Sequence, residues 1–245
     1  MIRRLTTVLC TGLLSATLAP ASMAALSSYS QDFDGLNAAS PTALEDDGWR
    51  VFVNVFDPAD AYLGGYGFAA PNGGPSASAI VQGEPAGNQQ LSVYSDYNNT
   101  GDHNAGNFVE TNVFQEQNIS AGDVGETYIF SFDAIPAFDD QGVLIEPDEA
   151  EAFIKTLDPN AGFAQTNFFT QDTSMLTVAE SGSLSITIDA GLVGQILQFG
   201  FTNTTTNFGP SGVRYDNINF AVPEPASLAL VGLGGLAMLG RRRAQ

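Results

Sequence analysis

The chain has 245 residues, 44% of them hydrophobic and only 14% charged, with 27 acids against 8 bases. Between Ala25 and Phe220 the bases fall to Arg50, Lys155 and Arg214 against 26 acids, a formal charge of −23. Such a surface excludes nucleic-acid binding, which needs Lys and Arg to neutralise phosphates, and opposes docking on anionic lipid. The apolar content is enough for a real core and too high for wholesale disorder.

The N-terminus has the order of a secretory signal. Met1–Arg4 is short and basic, Leu5–Leu18 is mostly apolar, and Ala19–Ala25 is small and Pro-containing. This predicts a signal helix over residues 1–24 with cleavage between Ala24 and Ala25 by signal peptidase. The single cysteine, Cys10, falls inside the apolar run, away from the cleavage point. The mature chain therefore has no disulfide and no thiol chemistry.

From Ser27 to Val222 the residues read as strands. Short runs of Phe, Tyr, Val, Ile and Thr are broken by Gly, Pro, Asn and Asp clusters. Strands are expected at 29–33, 49–56, 78–81, 90–94, 108–117, 127–134, 152–157, 176–179, 183–188, 196–203 and 213–221. Tyr128, Phe130 and Phe132 alternate with Thr127, Ser131 and Asp133, and Leu197, Phe199 and Phe201 share one face in the same way. Gly64-Gly65-Tyr66-Gly67 and Gly73-Gly74-Pro75 read as turns, and Ala190–Gln195 as one helical turn. The expected class is all-β: an antiparallel two-sheet sandwich over residues 25–221, flanked by the signal helix and a C-terminal hydrophobic helix.

No catalytic signature emerges. The mature chain holds one histidine, His103, and no Gly-x-Ser-x-Gly elbow; among 26 acids some pair always has a glycosidase spacing, so the count selects none. An enzyme is not expected. The Asn-rich stretch Asp96–Asn107 has Asp, Asn and Gly at the first, third and sixth places of a calcium loop, but Asn107 stands where a bidentate acid is needed. It reads mainly as a polar hairpin loop with His103 exposed. Asp139, Asp140, Glu146, Asp148, Glu149 and Glu151 read as a solvated loop, or as a weak cation site bridging to anionic polysaccharide. Flat rings that could stack on sugars are Trp49, Tyr62, Tyr66, Tyr94 and Tyr97, most of them in expected loops; the alternative places Trp49 and Tyr94 in the core.

The tail is the most distinctive segment. Val222-Pro223-Glu224-Pro225 precedes fifteen uncharged residues, Ala226–Gly240, then Arg241, Arg242 and Arg243. The two prolines keep the motif out of helix or sheet. The apolar run spans only ~22 Å as a helix against a hydrocarbon core of ~30 Å. The arginines stop transfer on the cytoplasmic side.

This arrangement over residues 222–245 resembles the PEP-CTERM sorting signal of exosortase substrates. The resemblance implies a bacterial protein that is exported, transiently anchored in the inner membrane by this tail, and cleaved near the motif by exosortase. It then reaches the cell surface or extracellular matrix, in association with exopolysaccharide.

The middle, through Gln31-Asp32-Phe33-Asp34-Gly35-Leu36 and Tyr215-Asp216-Asn217-Ile218-Asn219-Phe220, resembles a carbohydrate-binding-module jelly roll. That resemblance implies one structural calcium between Asp34, standing where the family usually has Glu, and Asp216; the alternative is two solvated surface acids. The leading expectation is a non-catalytic glycan-binding module. A structural matrix protein without a small ligand comes second, and a divergent polysaccharide hydrolase or lyase third.

Overall fold

The computed structural model describes residues 25–83, 88–139 and 141–223. Within them the chain builds two six-stranded antiparallel sheets. The first contains β1 (Tyr29–Gln31), β4 (Ser76–Gln82), β5 (Gln89–Asp96), β7 (Thr127–Ile135), β10 (Glu180–Thr187) and β12 (Val213–Ala221). Its order is β10-β7-β12-β5-β4, with β1 also on β12. The second runs β3 (Tyr62–Ala69), β2 (Arg50–Phe56), β6 (Phe108–Asn118), β11 (Ile196–Thr205), β8 (Glu149–Asp158) and β9 (Ala164–Asp172). The all-β antiparallel sandwich is as expected. The two flanking helices fall on residues outside the described ones. Among those described, no helix is long and apolar enough to cross a membrane.

Period-2 alternation places the core between the sheets. Val51, Val53 and Val55 of β2, Leu197, Phe199 and Phe201 of β11, and Tyr128, Phe130 and Phe132 of β7 are all buried. Phe199 stacks on Phe220 with ring centroids 4.2 Å apart, and Phe201 on Tyr215 at 3.5 Å. Trp49 is 1% exposed and lies in this core. Its Nε1 donates to Asp47 Oδ2, as does the Tyr29 hydroxyl, so the polar handles of both rings are satisfied. A buried carboxylate pins the N-terminal end. Asp123 accepts from Leu26 N, Ser120 N, Ser120 Oγ and the Tyr128 hydroxyl. Burial pushes its pKa up, but these bonds outweigh it and the net shift is downward.

Several local expectations are corrected. Residues 176–179 form an irregular bend rather than a strand, and β10 begins only at Glu180. Gly64–Gly67 is no turn but the middle of β3, and β9 is a strand beyond the expected set. Both lie on sheet edges and are mostly exposed, so neither carries a buried apolar stripe that would announce it. The Asn-rich stretch forms a short helix over Thr100–Ala105, capped by the Asn99 side chain, which accepts from Asp102 N. His103 within it is 5% exposed, not free in solvent. It stacks on Tyr97 and lies 4.9 Å from the Phe208 ring, and burial lowers its pKa.

Candidate functional site

The outward face of the second sheet is a groove. Register sets which side chains meet there. Arg50 pairs with Phe114, Phe52 with Asn112 and Asn54 with Glu110 across β2 and β6. Gln198 pairs with Glu116 across β11 and β6, and with Lys155 across β11 and β8. The open space has a volume of about 830 Å³, within the range that holds small ligands.

Its walls are rings. Phe52 and Tyr62 line one side and Phe163 the other, at 37%, 58% and 59% exposure. The glycines of β3 make this possible. A Cβ on Gly65 would stand 2.7 Å from the Phe52 ring and 2.8 Å from the Tyr62 hydroxyl, and one on Gly67 3.2 Å from Phe52. Because these glycines carry no Cβ, the Phe52 ring packs closely over β3.

Its floor is polar and pre-set. Lys155 is 9% exposed, and its Nζ donates to the neutral amide oxygen of Asn112 at 3.0 Å. The same Nζ lies 4.6 Å from the Phe153 ring centroid and 5.7 Å from that of Phe114. Burial pulls the Lys155 pKa down to about 8, against the upward pull of Glu110 and Glu116. Asn112 and Asn54 both donate to Glu110 Oε1 at 2.7 Å, and Gln198 donates to Glu116 Oε2 at 2.7 Å. These bonds fix the orientation of each amide; Asn54 and Gln198 line the groove, while Asn112 is buried and braces Lys155. Farther along the face stand Glu149, Glu151 and Asp172. Burial raises the pKa of both glutamates, and the neighbouring acids raise it further.

Of the rings picked from sequence, Tyr62 alone lines this groove. Trp49 is core. Tyr66 pairs with Val53 and so points to the inner side, where its hydroxyl donates to Asp96 Oδ2 at 2.7 Å and its ring stacks on Phe68. Tyr97 is packed between Tyr94 and His103, its hydroxyl donating to Gly209 O, and Tyr94 is tied to Gly74 O. Phe52, Phe163, Arg50 and Lys155 were missed as site residues. Alternation on β2 puts Phe52 opposite the valine face, a signal present in the sequence; the seat for its ring depends on β3, which read as a turn.

A second polar site lies where β12 changes neighbour. Val213–Tyr215 pairs with β5 and Ile218–Phe220 with β1, with a bulge between Asp216 and Asn219. Asn217 takes φ 49° there and the buried Phe33 φ 60°, both unusual for residues with side chains. This brings the Asp34 segment to Asp216 across 182 positions. Asp34 Oδ1 accepts from Gln89 N at 2.6 Å, and Asp216 Oδ2 from Asn88 Nδ2 at 2.9 Å. Carbonyls of Phe33, Asp34 and Leu36 converge on Gln89 Nε2 at 3.0–3.2 Å. Burial raises the pKa of Asp216, and Asp34 and Asp133 add to it. The donors are all oxygen, which suits calcium. Among the described residues no three His, Cys, Asp or Glu side chains cluster closely enough to hold a metal, so a cation here would also draw on those carbonyls.

The expected acidic loop divides: Glu149 and Glu151 belong to β8, and Asp148 accepts from Thr206 N and Oγ1. Of the sorting and cleavage residues, Ala24, Glu224, Pro225 and Arg241–Arg243 lie outside the described residues, and Val222 and Pro223 end the described chain.

The PEP-CTERM protein-sorting motif model matches residues 221–243. The chain thus carries that sorting motif, and the motif implies an exported, surface-destined protein. No curated protein matches the sequence. Among solved structures, the chain is similar to the enzymatically active domain of tailspike protein 4 of bacteriophage CBA120, at TM-score 0.41 and 10% identity over 76% of this chain. It spans only 21% of that protein. It is similar to a family 16 carbohydrate-binding module, at TM-score 0.37 and 10% identity over 60% of this chain and 86% of that one. A cyclase from Fischerella sp. TAU is similar at TM-score 0.38 and 14% identity, over 79% of this chain and 82% of the cyclase.

Proposed function

We propose that this is an exported, surface-released, non-catalytic module that binds polysaccharide in the groove of its second sheet. The observation that carries the reading is the groove itself: three exposed rings, Phe52, Tyr62 and Phe163, stand beside two hydrogen-bonded amides that line it, Asn54 and Gln198. CH faces of a sugar stack on flat rings, and sugar hydroxyls bond to fixed amides, so this combination recognises a carbohydrate chain better than a wholly apolar guest. The C-terminal motif supports the setting: exosortase cleaves near Pro223–Ala226 and the released chain enters the exopolysaccharide matrix.

A polysaccharide panel presented to the full chain in detergent tests the reading. Saturable binding to one class, reduced about tenfold or more by Phe52→Ala, is expected. No saturable binding across the panel would overturn it and favour the structural matrix role.

A calcium ion held by Asp34, Asp216 and the carbonyls beside them would stabilise the β12 junction, supplying positive charge where acids crowd. Chelation is then expected to lower Tm by several degrees; an unchanged Tm removes the ion.

A further inference from the structure

The charge distribution of the groove narrows its ligand, resting on the polysaccharide reading above. Only three bases lie between Ala25 and Phe220, and two of them, Arg50 and Lys155, line this one groove, with Glu116 as the one carboxylate lining it. A segment of formal charge −23 has placed its scarce cations on one side of one sheet. Lys155 is nearly buried, yet its ammonium bonds a neutral amide, Asn112, rather than a carboxylate. Glu110 and Glu116 act on this charge without bonding it, and a ligand anion in direct contact would offset more of the desolvation cost. Both acids already accept from amides, Glu110 Oε1 from Asn54 and Asn112 and Glu116 Oε2 from Gln198.

The other end of the same face has the opposite sign. Glu149, Glu151 and Asp172 stand on β8 and β9; Glu110 acts on both glutamates as it does on Lys155, and the crowding shows in the raised pKa of Glu149 and Glu151. A uniformly charged polyanion laid along the face would meet these acids. A single carboxylate between neutral sugars would not.

We propose that the groove selects a polysaccharide with isolated uronic-acid residues between neutral sugars, the uronate carboxylate seating against Lys155 and Arg50.

The test uses the full chain in nonionic detergent with hyaluronan, glucuronoxylan and xanthan, each beside its carboxyl-reduced form, and a set of neutral glycans. At least one native polymer is expected to bind about tenfold or more tighter than its carboxyl-reduced partner. Lys155→Met should erase that ratio without abolishing residual binding, and Lys155→Arg should restore part of it. A melting curve checks that each variant folds. Should Lys155→Met not fold, Arg50→Gln, on an exposed side chain, carries the same expectation. Equal binding of native and reduced forms, or binding confined to neutral glycans, overturns the uronate inference and leaves the groove as a sugar site. Binding to none of them overturns both.

Discussion

The two faces of the second sheet are made by the same strands and behave as different materials. On the inner face Val51, Val53 and Val55 meet Leu197, Phe199 and Phe201, all at 5% exposure or less. On the outer face the alternate residues of those strands, Arg50, Phe52, Asn54 and Gln198, line an open groove. A one-residue step along β2 converts core into site. The inner face needs only apolar bulk that fills space, whereas the outer needs particular side chains brought together by register from strands far apart in sequence. Stability should therefore be concentrated on one face and recognition on the other, and substitutions can test how clean that division is.

The largest effect is expected at Phe199, stacked on Phe220 and fully buried. Phe199→Ala should cost about 3–5 kcal/mol in urea denaturation, through lost burial and the cavity left behind. The comparison is sharpened by Gly200, its immediate neighbour on the outer face. A Cβ there would lie 2.1 Å from Val113 O and 2.7 Å from Phe114 Cα, so the β6–β11 pairing must open. Gly200→Ala should cost roughly 1–3 kcal/mol and distort the groove floor as well. If it proves neutral, the outer face is more pliable than its packing implies.

Lys155 breaks the division in the other direction, because it is a groove residue whose burial opposes folding. Its pKa is about 8 in the folded chain against 10.5 when unperturbed. Above pH 8 the folded state releases this proton while the unfolded state still holds it. Stability contributed by this group therefore rises between about pH 8 and 10, on the order of 2 kcal/mol. Above pH 10 the trend reverses. Tyr29, Tyr66, Tyr128 and Tyr215 hold their protons above the usual phenol range when folded and lose them more readily when unfolded. Lys155→Met should flatten the rise and add about 1–3 kcal/mol at pH 7, while losing the carboxylate preference of the groove. Urea midpoints from pH 7 to 11 for both proteins check this. A wild-type profile without the rise would show that the ammonium is better solvated than its burial indicates.

The inner face was legible in the sequence because apolar alternation reports directly on a two-sided sheet. Tyr128, Phe130 and Phe132 were placed on one face from spacing alone, and all three are core. The outer face was much less legible. Its ring seat depends on Gly65 and Gly67 of β3, and glycines in sequence read as turns because nothing in them tells a turn from a strand that a ring must cross. Lys155 was noticed only as one of three bases; its place in the groove comes from pairing with Gln198, 43 residues away. At the β12 junction the resemblance pairs Asp34 with Asp216, and in the fold the two acids accept from the adjacent residues Gln89 and Asn88.

The smallest expected effects separate two tyrosines that the sequence could not tell apart. Tyr62 and Tyr66 stand four residues apart among the same glycines, yet a bulge between Val55 and Phe56 and the alternation of β3 send them to opposite faces. Tyr66 spends its hydroxyl on Asp96, so Tyr66→Phe should cost about 0.5–1.5 kcal/mol and leave glycan affinity unchanged. Tyr62 is 58% exposed, so Tyr62→Ala should move stability by no more than about 0.5 kcal/mol while weakening binding severalfold. Measuring both quantities on both variants decides the matter. A Tyr66→Phe protein that binds weakly, or a Tyr62→Ala protein that unfolds early, would mean that the edge strand does not keep structure and recognition on separate faces.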